Sequence, residues 1–109
     1  MVDKFDKIHM DLIEDLPAAH VWSSSLRRFQ IFRHVLVITD SYTGWVEYVL
    51  LETKGTDETA IGFLNTWYCR YGAPRVVQTD RGAAWVSQIF GVLWSMLKVQ
   101  NIMGLAKRP

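Results

Sequence analysis

The 109-residue sequence predicts an α/β fold, in which a mixed five-stranded sheet has helices packed against it. In the first half of the chain, apolar residues alternate with polar ones or form short β-branched runs, which is typical of strands. In the second half, two segments with the apolar spacing of amphipathic helices stand on either side of a short strand. The predicted order of elements is therefore β-β-β-α-β-α-β.

The first three strands are predicted from hydrophobic patterns of two kinds. At residues 6–14, Ile8, Met10 and Leu12 alternate with polar neighbours, so this strand has one apolar and one polar face. Residues 34–52 are predicted to form a hairpin, whose first strand has a continuous apolar run and is expected to be buried on both faces. Between them, Pro17 and a run of serines predict an irregular connection over residues 16–33.

Two helices follow with a change of period. The first covers residues 56–71, with Thr56 as the expected N-cap and Gly72 just beyond its end. A short strand is predicted at 75–79, and Ser87 is expected to cap a second helix with Ile89, Phe90, Leu93 and Leu97 on one face. A last strand is predicted at 100–105. Helices between successive strands imply parallel neighbours joined by right-handed crossovers.

Composition restricts the class of protein. Half of the residues are hydrophobic and 13% are aromatic, which indicates a folded chain, predicted to be a single domain over 1–109. The net charge of +1 lacks the strong positive excess of a stand-alone nucleic-acid binder. Cys69 is the one cysteine, so an intrachain disulfide is excluded. We see no signal peptide and no apolar run of membrane-spanning length, so the nucleus or cytoplasm is expected, with no secretion and no membrane partner.

Two carboxylates are the candidate chemical groups. Asp11 lies on the polar face of the first strand, and Asp80 ends the strand at 75–79. If those strands are neighbours, both side chains reach one end of the sheet, where carboxylate oxygens can bind a divalent cation. The alternative for Asp80 is a turn residue, the more common role of an Asp before Arg-Gly.

Four segments together resemble the catalytic core of retroviral and LTR-retrotransposon integrases: KIHMDLIEDLP, HVLVITDSYTGWVEYVLL, TWYCRYGAPRVVQTDRGAAWVSQIFGVLW and VQNIMGL. The most specific parts are Tyr-Gly-Ala-Pro-Arg and the group Asp80, Gly82, Trp85 and Ser87. The resemblance implies an RNase H-like fold with the five strands in the order 3-2-1-4-5. It implies that Asp11 and Asp80 are catalytic acids and ligands of Mg²⁺ or Mn²⁺. DNA, as element ends and target, is the implied substrate, with a homodimer or larger oligomer and no small-molecule substrate.

The resemblance also implies features that the sequence does not contain. Integrases of this kind use a third acid, a Glu on a later helix, which would lie beyond Pro109. We therefore expect the C-terminal helices to be missing and the 109 residues alone to be inactive, although the full-length form would carry out 3′-end processing and strand transfer. The uncovered sheet should then favour dimerisation, aggregation or marginal folding.

Two other functions are compatible with the same residues. One is a non-catalytic, host-retained retroelement remnant that acts through protein or nucleic-acid contacts. The other is a nuclease of the wider RNase H-like group, which fold analogy alone supports.

Other polar residues are expected to be structural. Asp40 also ends an apolar strand, but it is expected to cap the turn at 41–44. His9 shares a strand face with Asp11 and is expected to be packed or solvated rather than part of the site. His20 and His34 lack metal-ligand spacing with any partner.

Three further groups have simple expected roles. Cys69 is expected to be a structural thiol. The arginines at 27, 28 and 33 are expected to form a solvated surface, with a phosphate backbone as the alternative. Trp67 and Trp94 have helical spacing and are expected in the core or a dimer interface rather than as nucleobase platforms.

Overall fold

A mixed five-stranded sheet forms the centre of the computed structural model, which describes residues 4–82 and 84–104. The strands are β1 (Lys7–Ile13), β2 (Ala19–Ser23), β3 (Arg28–Phe32), β4 (His34–Asp40), β5 (Val46–Leu51), β6 (Val76–Thr79) and β7 (Gln100–Met103). The sheet order is β5-β4-β1-β6-β7, with β1 antiparallel to β4 and parallel to β6. The predicted mixed sheet and the order 3-2-1-4-5, counted over its five strands, are both confirmed.

The segment at 16–33 differs from its prediction. It is not an irregular connection, because β2 and β3 pair as an antiparallel hairpin in a separate two-stranded sheet. The turn closes where the Arg27 N–H donates to the Ser23 carbonyl at 2.8 Å, with Arg27 at a φ of 56°. The strands are rich in β-branched and aromatic residues, which favour extended backbone. Proline and serine in the same segment mark its ends and turn rather than a loop throughout.

The helices form three segments after β5 and one after β6. They are α1 (Thr56–Phe63), a π-helix (Leu64–Tyr68), α2 (Cys69–Tyr71) and α3 (Gln88–Leu97). The prediction of Thr56 as N-cap was wrong, because Gly55 precedes the helix and Thr56 is its first residue. Ser87 caps α3 as predicted, and its hydroxyl accepts from the Phe90 N–H at 3.4 Å.

The π-helix preserves the buried face of the predicted amphipathic helix. Phe63 and Trp67 are fully buried and Tyr71 is partly buried, and these positions are four residues apart. A wider π turn keeps such positions on one side, where a regular α-helix would rotate them gradually away. Tyr68 lies eight residues after Ala60, a helical spacing that predicts it on the apolar face of this helix, but it is 39% exposed.

The hydrophobic core lies between the helices and one face of the sheet. Ile8 and Met10 of β1 pack there with aromatic residues of the helices, and the Phe63 and Trp94 rings meet edge-to-face at 5.3 Å. Trp67 and Trp94 are buried in this core, which is one of the two environments predicted for them. Phe90 is also buried, but Ile89 is 44% exposed, so the predicted apolar face of α3 was partly wrong.

The opposite face of the sheet has no helix packed on it among the residues described. We call it the open face, and it carries the side chains that alternate with the core positions. Its members from β1, β4, β5 and β6 include His9, Asp11, Ile13, Val35, Val37, Tyr48, Leu50 and Gln78. The last predicted strand ends at Met103, and residue 105 lies outside the described residues. Within the described ranges, no helix is long and apolar enough to cross a bilayer.

Candidate metal centre

The parallel register of β1 and β6 points Asp11 and Asp80 toward the same end of the sheet. Its last pair is His9 and Gln78. Asp11 lies two residues beyond His9 within β1, and Asp80 lies two residues beyond Gln78, just after the end of β6. Because side chains alternate between faces, Asp11 shares the open face with His9. Asp80 continues the alternation of Gln78, so both carboxylates belong to the same face and the same end of the sheet.

Hydrogen bonds from the backbone hold one oxygen of each carboxylate. Asp11 Oδ1 accepts from the Leu12 N–H at 2.9 Å, and Asp80 Oδ1 accepts from the Gly82 N–H at 2.8 Å. Both aspartates are exposed. A Cβ atom on Gly82 would lie 3.0 Å from Asp80 Oδ1, so glycine permits this close approach of backbone and carboxylate. Asp80 is therefore a turn residue, and this role leaves its second oxygen for another ligand.

A pair of polar side chains lies directly behind the two aspartates on the open face. His9 Nε2 and Gln78 Oε1 are 3.0 Å apart. Partial burial of the ring and the positive charge of Lys7 lower the pKa of His9, while the negative charge of Asp11 opposes them. The neutral ring can donate its Nε2 proton to Gln78. His9 therefore packs against Gln78, which is one of the two roles predicted for it. The contact links β1 to β6 two residues before each aspartate.

A cavity of about 470 Å³ adjoins Asp80 and brings one positive charge to the site. Its lining includes Asp80, Gly82, Glu14 and Lys54. The Lys54 ammonium lies 3.5 Å from an Asp15 carboxylate oxygen and 3.9 Å from one of Glu14. The negative charge that Glu14 and Asp15 add near Asp11 is thus partly balanced by Lys54. These pairs are exposed, so their contribution to stability is small.

Asp40 lies far from this centre in the sheet. It pairs with Ile8 at the opposite end of β1 and belongs to the core face. Its carboxylate accepts from the Thr43 hydroxyl at 2.6 Å and from the Phe5 N–H at 2.9 Å. Burial alone would raise the pKa of Asp40, but these hydrogen bonds outweigh it and hold the pKa below its ordinary value. Asp40 therefore caps the turn at 41–44, as predicted.

The remaining histidines and the cysteine lie apart from the aspartates. His34 is buried and its Nδ1 accepts from the Asp15 N–H at 3.1 Å, and His20 is exposed on β2. Cys69 is exposed on α2 rather than packed as a structural thiol. Of the three arginines, Arg28 pairs with Glu52, while Arg27 and Arg33 are exposed.

The described residues fit a divalent cation as two ligands of a larger set. Carboxylate oxygens are the donors that Mg²⁺ and Mn²⁺ prefer, and Mg²⁺ commonly keeps several waters beside one or two carboxylates. Over residues 4–82 and 84–104, no group of three or more His, Cys, Asp or Glu side chains assembles around a common point. Asp11 and Asp80 would therefore supply two donors, and water or further groups would have to complete the coordination.

Two contributors near the site and one in the hairpin anchor were missed from the sequence alone. Gln78 could have been found, because it lies two residues before Asp80 on the same strand face. Lys54 and Glu52 come from the loop after β5, far away in the chain, and no local pattern connects them with Asp11 or with the β2–β3 hairpin. Their roles depend on how β5 packs beside β4.

Comparison with known proteins identifies the relatives of this chain. The integrase core domain family matches residues 4–109. The Gag-Pol polyprotein of baboon endogenous virus (strain M7) is 31% identical over 78 residues, which are 72% of this chain and 4% of that polyprotein. The chain thus spans a small part of the curated relatives that it matches.

Solved structures show the same fold at low sequence identity. The HTLV-2 integrase catalytic core domain, in complex with magnesium and in a dimeric form, superposes with a TM-score of 0.67 at 19% identity. That match covers 94% of this chain and 62% of the other chain. The catalytic core domain of BIV integrase gives a TM-score of 0.71 at 15% identity, covering 96% of this chain and 58% of that one.

Proposed function

Because the chain belongs to the integrase core domain family, we propose that it is the metal-dependent polynucleotidyl transferase core of a retroelement integrase. In this proposal, Asp11 and Asp80 are catalytic acids that hold Mg²⁺ or Mn²⁺, and the substrate is DNA, as element ends and target. The observation that supports it most is the parallel β1–β6 register, from which we expect the two carboxylates at the same end and face of the sheet. The family assignment supports a role in DNA integration.

The chemistry follows from what the two carboxylates offer. A divalent cation bound here would activate a water or a 3′-hydroxyl and neutralise charge on the phosphodiester. Asp11 and Asp80 would each contribute the oxygen that the backbone does not occupy. The Leu12 and Gly82 N–H groups would hold the carboxylates in place before the cation arrives, which lowers the cost of ordering them. Lys54 lines the same cavity as Asp80 and would offset part of the negative charge that a phosphate backbone meets there.

Metal binding tests the proposal without an activity assay. We expect Mn²⁺ to broaden the amide NMR signals of residues around Asp11 and Asp80 selectively. Asp11→Asn and Asp80→Asn should each weaken Mn²⁺ binding by at least about 10-fold, since the loss of even an outer-shell partner has an effect of that size. Asp57→Asn, an exposed acid in the first turn of α1, is the matched control and should leave binding unchanged.

An equal response to Mn²⁺ in the wild type and both Asn variants would reject the metal site. Broadening confined to Asp57 and Glu58 would do the same.

Activity is expected only with a more complete ligand set. Strand transfer requires the correct geometry and charge around the reacting phosphate, and the described residues bring two carboxylates to this point. We therefore expect the 109-residue polypeptide to yield no joined product with end-processed DNA and Mn²⁺. A longer polypeptide that supplies a third acid should yield product and lose it in Asp11→Asn. Joined product from the 109 residues alone would contradict the first expectation.

A further inference from the structure

The β2–β3 hairpin has an unusual charge for this protein. Residues 18–33 contain three arginines and no acidic residue. The rest of the chain contains nine Lys and Arg against eleven Asp and Glu, so the positive charge of the protein is concentrated in this hairpin. Arg28 is engaged with Glu52, whereas Arg27 at the turn and Arg33 at the base are exposed.

The hairpin also displays aromatic side chains to solvent. Trp22 and Phe29 are paired across the strands, each is 56% exposed, and their rings meet edge-to-face at 5.2 Å. Leu26 in the turn is 52% exposed. Exposed apolar side chains in such a cluster are a mark of a binding surface. We define the platform as Trp22, Leu26, Arg27 and Phe29.

Glu52 determines which face of the hairpin is turned outward. Its carboxylate accepts from both terminal nitrogens of Arg28, at 3.2 and 2.9 Å, and from the Ile31 N–H at 3.0 Å. Gln30 also donates to it, at 3.4 Å. Arg28 and Gln30 lie on the face opposite to Trp22 and Phe29, because side chains alternate along a strand. Anchoring that face to Glu52 leaves the aromatic face free.

The hairpin leaves the sheet at the end that carries the candidate metal centre. It joins the end of β1 to the start of β4, where Ile13 pairs with Val35. The parallel strand β6 ends at this same edge, just before Asp80. The base is tied down by the Leu16 N–H to the Arg33 carbonyl at 2.9 Å and by the Arg33 N–H to the Leu51 carbonyl at 3.1 Å. The base of the hairpin and its Glu52 anchor therefore lie at the end of the sheet that presents Asp11 and Asp80.

We propose that the platform of the β2–β3 hairpin binds single-stranded DNA at the end of the sheet that carries the two aspartates, an inference that rests on the proposed function. Unpaired bases stack on exposed aromatic rings, whereas the bases of a duplex are already stacked on one another. Arginine supplies the positive charge that follows the phosphate backbone. The hairpin combines both features, is basic within an otherwise slightly acidic chain, and holds a fixed orientation through Glu52. A single strand bound there would lie at the end of the sheet that carries the candidate metal centre.

The experiment measures fluorescence anisotropy of a labelled oligonucleotide of roughly ten nucleotides, within the usual site sizes, on the 109-residue protein in EDTA. Trp22→Ala should weaken binding of the single strand by about 5- to 150-fold, and Trp22→Phe should retain most of it, because a ring remains for stacking. Arg27→Gln should reduce the slope of log affinity against log salt by about 0.7, the value for one phosphate contact.

Matched controls come from the other end of the molecule. Tyr42→Ala removes an equally exposed aromatic ring, 63% exposed, in the turn after β4 and should leave affinity unchanged. Lys98→Gln, after α3, should leave the salt slope unchanged. The platform variants change exposed side chains, and circular dichroism verifies that they fold.

Equal DNA affinity of wild type and Trp22→Ala would overturn the proposed platform. Tighter binding of the same sequence as a duplex would also overturn it. So would a Trp22→Ala variant that loses self-association but keeps its DNA binding. The metal centre is tested separately. Without cation, Asp11→Asn should bind the oligonucleotide at least as well as wild type, because removing a negative charge cannot weaken attraction to phosphate. If the platform variants bind DNA as wild type does while Mn²⁺ binding is intact, only this inference is rejected. If the platform variants lose DNA binding but no selective Mn²⁺ binding is found, only the proposed function is rejected.

Discussion

At the scale of single residues, the turn role of Asp80 is compatible with its proposed role as a metal ligand. Its Oδ1 accepts from the Gly82 N–H at 2.8 Å, which makes it a turn residue. The same bond orients the carboxylate, and the parallel β1–β6 register points it toward the end of the sheet where Asp11 lies. A turn and a candidate ligand are compatible, because a carboxylate has two oxygens with several lone pairs. The local pattern alone therefore could not decide against a metal site.

Glu52 provides a residue-scale test in its response to pH. Hydrogen bonds from Arg28 and Ile31 lower the pKa of Glu52 from 4.5 to about 2. A carboxyl whose folded pKa is depressed stabilises the fold above its unfolded pKa and loses this effect as pH falls through the folded value. We expect the hairpin anchor to be intact above pH 4.5 and lost toward pH 2. The Ile31 amide NMR shift, followed against pH, measures this directly.

Glu52→Gln is the matched variant for this titration. It keeps the shape of the side chain but removes the charge that strengthens the bonds from Arg28. The Ile31 amide should then show no titration between pH 4.5 and 2. A wild-type midpoint near 4.5 would show that the carboxylate is not held as described.

At the scale of elements, two helical glycines predict opposite effects of one added methyl group. Gly62 of α1 faces β5, and a Cβ there would lie 2.9 Å from Val49 Cγ1. Gly91 of α3 is exposed, with nothing within 4 Å of the same position. Both glycines are in helical backbone, so changing either one to Ala gains about 1 kcal/mol in helix propensity. Only Gly62→Ala adds the cost of overpacking.

We therefore expect Gly91→Ala to raise the free energy of unfolding by about 1 kcal/mol. Gly62→Ala should be less stable than Gly91→Ala by about 1–3 kcal/mol, the usual cost of overpacking. Urea denaturation with unchanged m-values measures both. Equal stability of the two variants would mean that α1 does not pack on β5 as closely as described.

The β2–β3 hairpin is the element that sequence reasoning missed. Its β-branched and aromatic residues indicate strands, but Pro17 and three serines interrupt them and favour a loop. The hairpin is held by Glu52, which is distant in sequence from its partners on β3. A two-stranded hairpin is only marginally stable alone, so its formation depends on this tertiary contact. No local pattern contains that information.

At the scale of the whole molecule, the open face is the most exposed apolar surface of the sheet. Tyr48 is 66% exposed, Leu50 53% and Ile13 43%, and the register places all three on this face. Contiguous apolar patches larger than a few hundred Å² are uncommon on monomers. We expect the 109-residue protein to self-associate through this face, in line with the predicted dimer or larger oligomer.

Leu50→Lys tests this expectation, because it places a charge in the centre of the open face. Sedimentation velocity should show its mass shifting toward the 12.6 kDa monomer. Val21→Lys, at a position on the hairpin that is 45% exposed, is the control and should associate as the wild type does. Wild-type protein that sediments as a monomer with a sharp, reversible melt would contradict the expectation.

Periodicity and composition by themselves determined the five strands of the main sheet and the two helical segments, but not the β2–β3 hairpin. The alternation around Asp11, the helical spacing of Phe63 and Trp67, and the cap at Ser87 are local features, and each follows from short-range sterics and hydrogen bonding. The order of strands was implied by resemblance and confirmed by the fold. Tertiary structure decided which carboxylates lie at the same end of the sheet as Asp11, and it decided that Glu52 contacts the β2–β3 hairpin. The reason is that neighbours in a sheet are chosen by joint burial of distant faces, a free energy that no single segment contains.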